Sequence, residues 1–398
     1  MKKTLAEKGV VIYASDTVFI GKDVDLTRIE AGAIIYPGCR IIGRHTYIGA
    51  GSTIGEESPV TIKNSQLGYN VRIAGGFLEN TTMLDGSSAG DGFHSRFGTL
   101  IEEFANVAHT VGLKQTILMP YVTAGSLINF CDVLMAGGTD SQNHSEVGSS
   151  YVHFNFTPHQ DKATASLLGD VPRGVMLDQR PIFLGGQGGM VGPRHVEFGT
   201  TVAAGSILRH DIVDENTLVI AGPAAELHSC EYEPRIFRND TVKIAQKCLV
   251  YLGNIAALQA WYKYFRSGIM QRSKCGRACY DGALARLEEV WDERVKRLEQ
   301  LIEKVKLSLK FAGENATGTS FDSQRKLVSL WHEIKSGIAA AEQKDTSPDK
   351  DILTLIEEAA GRETEGSVIN AVKNMDNRTR RCLTEWLMNI CNEVSSIL

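Results

Sequence analysis

Histidines are the side chains of this sequence most able to do acid–base or metal chemistry, and they concentrate in its first part. Nine of the ten histidines precede residue 232. His144, His153 and His159 lie near one another, and the last two are six residues apart. Neutral imidazoles can serve as general bases or as zinc ligands. The candidates for histidine-dependent chemistry therefore concentrate before residue 232.

The cysteines give weaker evidence for a metal site or a catalytic site. Cys275 and Cys279 are the only close pair, four residues apart on a predicted helix. This is not a zinc-knuckle spacing, and no second Cys/His pair follows it. We expect reduced thiols, as is typical of a cytoplasmic protein, and no metal.

Composition narrows the class of protein. The net charge of −5 and the pI near 6.1 give no nucleic-acid footprint. No run of roughly 18 apolar residues predicts a membrane span. The N-terminus MKKTLAEKGVVIYASDT lacks an uninterrupted apolar stretch, so no signal peptide is expected. These features predict a cytoplasmic protein.

A six-residue repeat indicates the structural elements that would carry the histidines. In IGRHTYIGAGSTIGE, the residues Ile42, Ile48 and Ile54 are six apart, and each is followed by glycine. A period of six fits neither a helix nor a single strand. It is typical of a coil with three short flat faces, one inward aliphatic residue on each, and a small residue at the corner. We predict a left-handed parallel β-helix within residues 1–231.

Two segments interrupt this repeat. The register continues through Leu67 and Ile73, and resumes at Ile101. The intervening stretch 75–98 is predicted to be a loop or an excursion. A second stretch, 156–181, carries charges and prolines and is predicted to project as a long loop.

Residues 232–398 are predicted to form a helical domain. Glycine becomes sparse there, and helices are expected near 235–265, 282–311, 321–343, 348–360 and 377–397. Leu284, Leu287, Trp291, Leu298, Leu301 and Val305 recur near heptad spacing. The stripe fits either a coiled coil or the core seam of an antiparallel bundle, and the bundle is the commoner case. The role of this domain, including a possible protein partner, is not indicated by its residues.

Residues from about 96 to 230 resemble the C-terminal acetyltransferase domain of GlmU, the bifunctional N-acetylglucosamine-1-phosphate uridyltransferase/glucosamine-1-phosphate acetyltransferase. The family ends this domain with a VFxGSxxxLxAPVxxGxxAxxxAGSxIxxDV pattern. Here the segment 182–212 is IFLGGQGGMVGPRHVEFGTTVAAGSILRHDI, followed by VDENTLVIAGPAA. The resemblance implies a homotrimer with sites between subunits, acetyl-CoA or another acyl-CoA as donor, and a sugar phosphate or a nucleotide sugar such as UDP-N-acetylglucosamine as acceptor.

The resemblance also implies site residues. Arg96 and Lys114 match the family's phosphate-binding pair, and a guanidinium fork with an ammonium point charge suits a phosphate. Asn155 and Lys162 match the family's sugar-binding pair, with one extra residue between them. Gly186, Ala203 and Ala204 would line the acyl-CoA channel, where small residues allow close approach to the backbone.

Three positions depart from the family. The catalytic histidine of the family's AGHLTY stretch is Ser126 in AGSLIN, and its tyrosine is Asn129. Since serine alone is a poor base, the proton acceptor must come from elsewhere. His144 and His153 are the first candidates, and His109 is also near in sequence. The family's CoA-binding arginine falls at Gly222.

Other functions stay open. A non-catalytic sugar-nucleotide-binding or trimeric scaffold protein would explain the serine at the base position. A zinc site of His144, His153 and His159 would resemble that of γ-carbonic anhydrases, although its spacing differs. No glycine-rich GxGTRM-like loop occurs, so uridylyl transfer is not expected of this chain.

Overall fold

The computed structural model describes residues 1–154, 165–220, 222, 233–313 and 315–398. It contains a left-handed parallel β-helix of about 11 turns followed by helices, which confirms the predicted fold class. A short helix, α1 (Lys2–Glu7), precedes the first coil, and a 3₁₀ turn covers Leu26–Arg28. Strands and helices are numbered in chain order.

The β-helix has three faces, each a column of parallel strands. Face 1 consists of β1 (Val11–Ile12), β3 (Ile34–Ile35), β6 (Thr53–Ile54), β9 (Arg72–Ile73), β12 (Ser88–Ala89), β15 (Asn106–Val107), β17 (Thr123–Ala124), β21 (Glu146–Val147), β24 (Phe183–Leu184), β27 (Thr201–Val202) and β29 (Leu218–Val219). Face 2 consists of β2 (Phe19–Ile20), β4 (Arg40–Ile42), β7 (Val60–Lys63), β10 (Gly76–Glu79), β13 (Phe93–Ser95), the first halves of β16 (Gly112–Leu118) and β18 (Asn129–Met135), β22 (Val152–Phe154), β25 (Gly189–Val191) and β28 (Ile207–Leu208). Face 3 consists of β5 (Tyr47–Ile48), β8 (Gln66–Leu67), β11 (Thr81–Met83), β14 (Thr99–Ile101), the second halves of β16 and β18, β23 (Ser166–Leu168) and β26 (His195–Val196).

Stacked aliphatic side chains fill the interior. On face 1, Ile35 pairs with Ile54, and Ile54 pairs with Ile73, in a register that repeats coil after coil. All three side chains are fully buried. Burying one aliphatic side chain contributes roughly 1.5–3 kcal/mol, so each coil stabilises its neighbours. The six-residue spacing therefore reports the inward positions of the coil.

The predicted interruption at 75–98 is wrong. This segment forms β10, β11, β12 and β13 within the β-helix, and Phe77 pairs in register with both Thr61 and His94. The aliphatic pattern fades because polar residues occupy buried positions here. Thr81 and Ser95 share a hydrogen bond of 2.5 Å between their hydroxyl groups. Pairing removes the cost of burying these hydroxyls, so the coil persists without the sequence signal.

The predicted projecting loop at 156–181 is partly wrong. From residue 165 the chain is back in the β-helix as β23, followed by α2 (Val171–Gly174), which Asp170 caps by accepting from Arg173 N at 2.8 Å. Residues 155–164 lie outside the described residues. An excursion that the sequence did not predict is the antiparallel hairpin β19 (Gly138–Asp140) and β20 (Asn143–His144).

The helical part starts at α3 (Thr241–Ala260), capped by Asp240, and runs through a π-helical turn at Trp261–Arg266 into α4 (Ser267–Met270). The remaining helices are α5 (Lys274–Ala312), α6 (Thr319–Gln343), α7 (Lys350–Gly361), α8 (Val368–Lys373) and α9 (Asn377–Ser395). Helix α3 packs against α5, α6 and α9. The heptad stripe on α5 is accordingly the core seam of a bundle.

Helix α5 also packs on the β-helix, against β5, β8, β11 and β14 of face 3. The outward-facing residues of face 3 are buried, including Leu100, Ile117 and Leu134, which are 0% exposed. Arg266 is buried between the two parts and pairs with Glu103 at 2.6 Å and Glu102 at 3.2 Å. Face 2, by contrast, exposes His94, Asn129 and Val152.

Candidate functional site

Face 2 carries the predicted phosphate ligands side by side. The ladder pairs Ser95 with Leu113 and Lys114 with Cys131, and Arg96 N donates to Leu113 O at 3.0 Å. Arg96, Lys114 and Cys131 therefore occupy matching outward positions on three successive coils. Asn129 lies two residues before Cys131 on the same strand and is exposed. We refer to Arg96, Lys114, Asn129 and Cys131 as the basic patch.

The basic patch is positively charged and accessible. Arg96 is exposed, and the Lys114 ammonium lies 4.7 Å from the centre of the Phe97 ring. Burial and the neighbouring Asp132 raise the pKa of the Cys131 thiol, whereas Arg96, Lys114 and Arg294 act to lower it. Two cations on adjacent coils can hold one phosphate group.

At the other edge of face 2, the corner between faces 1 and 2 stacks a second set of residues. We refer to this set as the corner column: His109, Ser126, Ser149, Gly186 and Ala204. The carbonyl groups of its first four members accept hydrogen bonds from the backbone N–H of residues 127, 150, 187 and 205 on the next coils. Ser126, Gly186 and Ala204 are thus brought together as one edge of the same face.

The structure supplies Ser126 with a histidine. Ser126 Oγ lies 2.7 Å from His109 Nδ1 on the preceding coil, and Ser126 N donates to Ser149 Oγ at 3.2 Å. His109 is exposed and Ser126 is half-buried. A coil offset could have revealed the pair, because Val107 and Ala124, two residues earlier in each coil, are paired partners.

The two histidines that the sequence favoured lie elsewhere. His153 points into the β-helix, where its ring nitrogens bond Cys131 O at 2.6 Å and Ser166 Oγ at 2.8 Å. Burial lowers the pKa of His153 to about 4. His144 lies in the β19–β20 hairpin, 2.9 Å from Ser141 O and 3.9 Å from Glu146 of face 1. Neither histidine is hydrogen-bonded to Ser126.

The small residues of the predicted acyl channel are tightly stacked. A Cβ placed on Gly185 would lie 2.3 Å from Ala204 N, and one on Gly186 would lie 2.8 Å from Ser149 O. Ala203 N donates a hydrogen bond to Val219 O at 2.8 Å, which links this corner to the following strand of face 1. Close coil packing at this corner therefore demands small residues, and the same smallness leaves the backbone accessible to a narrow ligand.

Several predicted site residues lie outside the described residues, namely Asn155, Lys162 and His159. Within the described ranges, no group of three His, Cys, Asp or Glu side chains is arranged to hold a metal ion. In the same ranges, no helix is long and apolar enough to cross a membrane. Gly222 is exposed, and a Cβ there would meet nothing within 4 Å.

The coil geometry and the stacked polar edge define a hexapeptide-repeat β-helix. The β-helical part of the chain is similar to the hexapeptide-repeat domain of GlmU. The chain is 25% identical to the bifunctional protein GlmU of Oleidesulfovibrio alaskensis over 226 residues, which is 56% of this chain and 44% of that protein. It is 26% identical to GlmU of a Cyanothece species over 207 residues, 52% of this chain and 40% of that protein. The chain therefore spans less than half the length of these relatives.

Other comparisons add little. No protein-family model matches the chain. A solved structure of Arabidopsis UDP-N-acetylglucosamine acyltransferase is 13% identical and covers 78% of this chain and 97% of its own, with a TM-score of 0.20. LpxA from Acinetobacter baumannii is 13% identical over 80% of this chain and 95% of its own, with a TM-score of 0.18. Scores this low support no conclusion.

Proposed function

We propose that this protein is an acyltransferase that moves an acyl group from acyl-CoA to a sugar phosphate or nucleotide sugar across face 2. The observation that carries the proposal is the hydrogen bond of 2.7 Å between Ser126 and His109, at one edge of the face whose other edge holds Arg96 and Lys114. A polar pair able to move a proton and a pair of cations able to hold a phosphate thus bracket one surface. The GlmU likeness of this part of the chain supports the same class of reaction.

The residues of face 2 have separate roles in the proposed reaction. Arg96 and Lys114 bind the acceptor's phosphate group, and the exposed Asn129 amide meets a sugar hydroxyl. When the acceptor's amine or hydroxyl attacks the thioester carbonyl, its proton passes to Ser126 Oγ while the Ser126 proton passes to His109 Nδ1. His109 thereby becomes the net proton acceptor, a task that serine alone performs poorly.

The donor would lie along the corner. Gly186, Ala203 and Ala204 leave room for a pantetheine arm beside the backbone, with acetyl-CoA as the simplest donor. The CoA thiolate leaves as the new ester or amide forms and takes up a proton from solvent, and His109 returns the proton it received to solvent. Asn155 and Lys162 follow β22 in the chain, and we propose that they contact the sugar, as the family likeness implies.

The carrying observation is tested with His109→Gln and Ser126→Ala. Because the pair is the proposed proton acceptor, we expect kcat with acetyl-CoA and a sugar phosphate to fall about 100-fold or more in His109→Gln. Arg96→Ala should instead mainly raise KM for the acceptor. His332→Gln, at an exposed position of α6, is the matched control and should leave both constants unchanged.

The outcomes separate the candidate functions. Unchanged turnover in His109→Gln would overturn the assignment of the proton acceptor. Binding of UDP-N-acetylglucosamine or glucosamine-1-phosphate without any binding of acetyl-CoA in titration calorimetry would instead favour the non-catalytic sugar-nucleotide-binding protein.

A further inference from the structure

Helix α5 of the helical part forms hydrogen bonds or an ion pair with the β-helix at three successive corners. These corners, between faces 2 and 3, contain Gly98, Gln115 and Asp132, whose φ angles are +73°, +52° and +64°. Gln115 follows Lys114 directly, Asp132 follows Cys131 directly, and Gly98 lies two residues after Arg96. The three corners are therefore the points where the face 2 portions of the chain that carry the basic patch end.

Each of these corners is bonded to α5. Gly98 N donates to Glu289 Oε2 at 2.7 Å, and Gln115 Nε2 donates to Glu289 O at 3.4 Å. Arg294 Nη2 pairs with Asp132 Oδ1 at 2.5 Å. Glu289 is itself held by Arg286, whose Nη2 lies 2.7 Å from Glu289 Oε1. One face of a single helix thus fixes the ends of three adjacent strands.

The two arginines at this contact are buried, and each is paired with one carboxylate. The side chains of Arg294 and Arg286 are 1% and 7% exposed. Within the part of the chain that the structure describes, Nε and Nη1 of both arginines have no hydrogen-bond partner. A buried guanidinium is costly unless a nearby anion compensates it. Arg294 therefore offsets the negative charge of Asp132 beside Lys114 and Cys131: Asp132 acts to raise the pKa of the Cys131 thiol, and Arg294 acts with Arg96 and Lys114 to lower it.

Attachment of the helical part does not depend on this contact. Arg266 pairs with Glu103 at 2.6 Å, and Lys247 pairs with Asp211 at 2.7 Å, at other places along the β-helix. The Arg294–Asp132 pair can therefore be altered while other links between the two parts remain.

We infer that helix α5 is a positioning element of the anion site, and that Arg294, through Asp132, orients the strand ends carrying Arg96 and Lys114 and strengthens their hold on the phosphate group of the acceptor. The inference rests on the proposed function for the identity of the acceptor. Whatever the acceptor is, the orientation and the electrostatic potential of the basic patch depend on Arg294, whose side chain is 1% exposed and lies in another part of the chain.

Cys131 allows this to be measured without any substrate. Iodoacetate is anionic and iodoacetamide is neutral, so the ratio of their alkylation rates at one thiol reports the local potential, and the thiolate fraction cancels. Cys382 on α9 is also partly exposed and serves as the internal reference. We expect a higher ratio at Cys131 than at Cys382, and a fall at Cys131 alone in Arg294→Gln and Arg96→Ala.

Binding is measured in the same full-length variants. Arg294→Gln should weaken glucosamine-1-phosphate binding by about 2- to 30-fold with kcat little changed, and Arg294→Lys should restore part of the loss. Glu103→Gln breaks another buried pair between the two parts and is the matched control. If Arg294 only stabilises the fold, Arg294→Gln should lower the free energy of unfolding as Glu103→Gln does, and it should leave the Cys131 ratio and the KM unchanged.

The possible results separate this inference from the proposed function. If no sugar phosphate binds the wild-type protein but the Cys131 ratio falls in Arg294→Gln and not in Glu103→Gln, the positioned anion site stands and the proposed acceptor is wrong. If sugar phosphate binds and both Arg294 variants leave binding and ratio unaltered, the inference is overturned.

Discussion

At the scale of single residues, the function of a histidine in this protein depends on the direction in which it points. His153 occupies an inward position of β22, and both of its ring nitrogens are bonded to protein groups. His109 occupies a corner, where it is exposed and bonded to Ser126. Alternation of side chains along a strand makes this a matter of one residue in register. The exposed His109 at the corner is therefore available for chemistry, whereas the buried His153 serves the fold.

The buried imidazole should make stability depend on pH. Burial lowers the folded-state pKa of His153 to about 4 from 6.5. Between these values the unfolded chain binds a proton that the folded protein does not, so stability falls as pH falls through this window. We expect roughly 2–3 kcal/mol of the loss between about pH 7 and about pH 4.5 to disappear in His153→Gln.

This expectation is checked by urea unfolding of both proteins at the two pH values. Comparing the variant with the wild type cancels the contribution of other groups that titrate in this range, such as Asp85, whose pKa burial raises to about 6. His210→Gln, at an exposed position, should keep the full pH dependence. An equal pH dependence in His153→Gln and wild type would contradict the argument.

At the scale of elements, the coil corners decide how closely successive turns can stack. Gly148, Gly185 and Gly186 allow backbone atoms of adjacent coils to meet beside the corner column. A Cβ at Gly148 would lie 2.4 Å from Gly186 N, closer than side chains approach backbone. These residues therefore serve the packing of the coil whether or not a ligand binds there.

Gly185→Ala tests both roles at once. Its Cβ would lie 2.3 Å from Ala204 N, and backbone cannot yield as a flexible side chain can. We expect a loss of about 1–3 kcal/mol in the free energy of unfolding, together with a raised KM for acetyl-CoA, because the displaced backbone lines the proposed channel. Denaturant unfolding and steady-state kinetics measure the two effects.

Gly361→Ala at the end of α7 is the control, since a Cβ there meets nothing within 4 Å. Its stability should stay within about 0.5 kcal/mol of wild type. If Gly185→Ala is equally harmless, the corner is looser than the structure describes. If it unfolds more easily but binds acetyl-CoA normally, the channel does not pass Gly185.

At the scale of the whole molecule, the helices determine which surfaces remain for other subunits. Face 3 is covered, as the buried outward residues Leu100, Ile117 and Leu134 show. The corner column and much of face 2 stay exposed or half-buried. We therefore propose that a homotrimer, as the family likeness implies, associates around the corner column, with the helices on the outside.

Sedimentation equilibrium should give three times the mass of the chain, which is 43.5 kDa. Ser149→Arg places a long cation at an exposed position of the corner column and should shift the protein toward monomer. Leu307→Arg, at a position 64% exposed on α5, is the matched control and should leave the mass unaltered. A monomer at every concentration of the wild-type protein would contradict the proposal.

The sequence by itself determined the architecture. A six-residue spacing such as that of Ile42, Ile48 and Ile54 reports inward positions of a local coil, and the change of composition after residue 232 reports the helices. The family likeness also suggested Arg96 and Lys114 as phosphate ligands, and the structure places them on adjacent coils. Such features depend on short-range geometry, which a sequence pattern contains.

Only the tertiary structure decided the rest. The pairing of Ser126 with His109 rather than His144 or His153 depends on the length of each coil and on the direction of each side chain. The segment 75–98 stays in the β-helix because buried hydroxyl groups find partners on neighbouring coils. The bond from Arg294 to Asp132 joins residues 162 positions apart. Contacts of this range follow from packing one element against another, and no local pattern in the sequence records them.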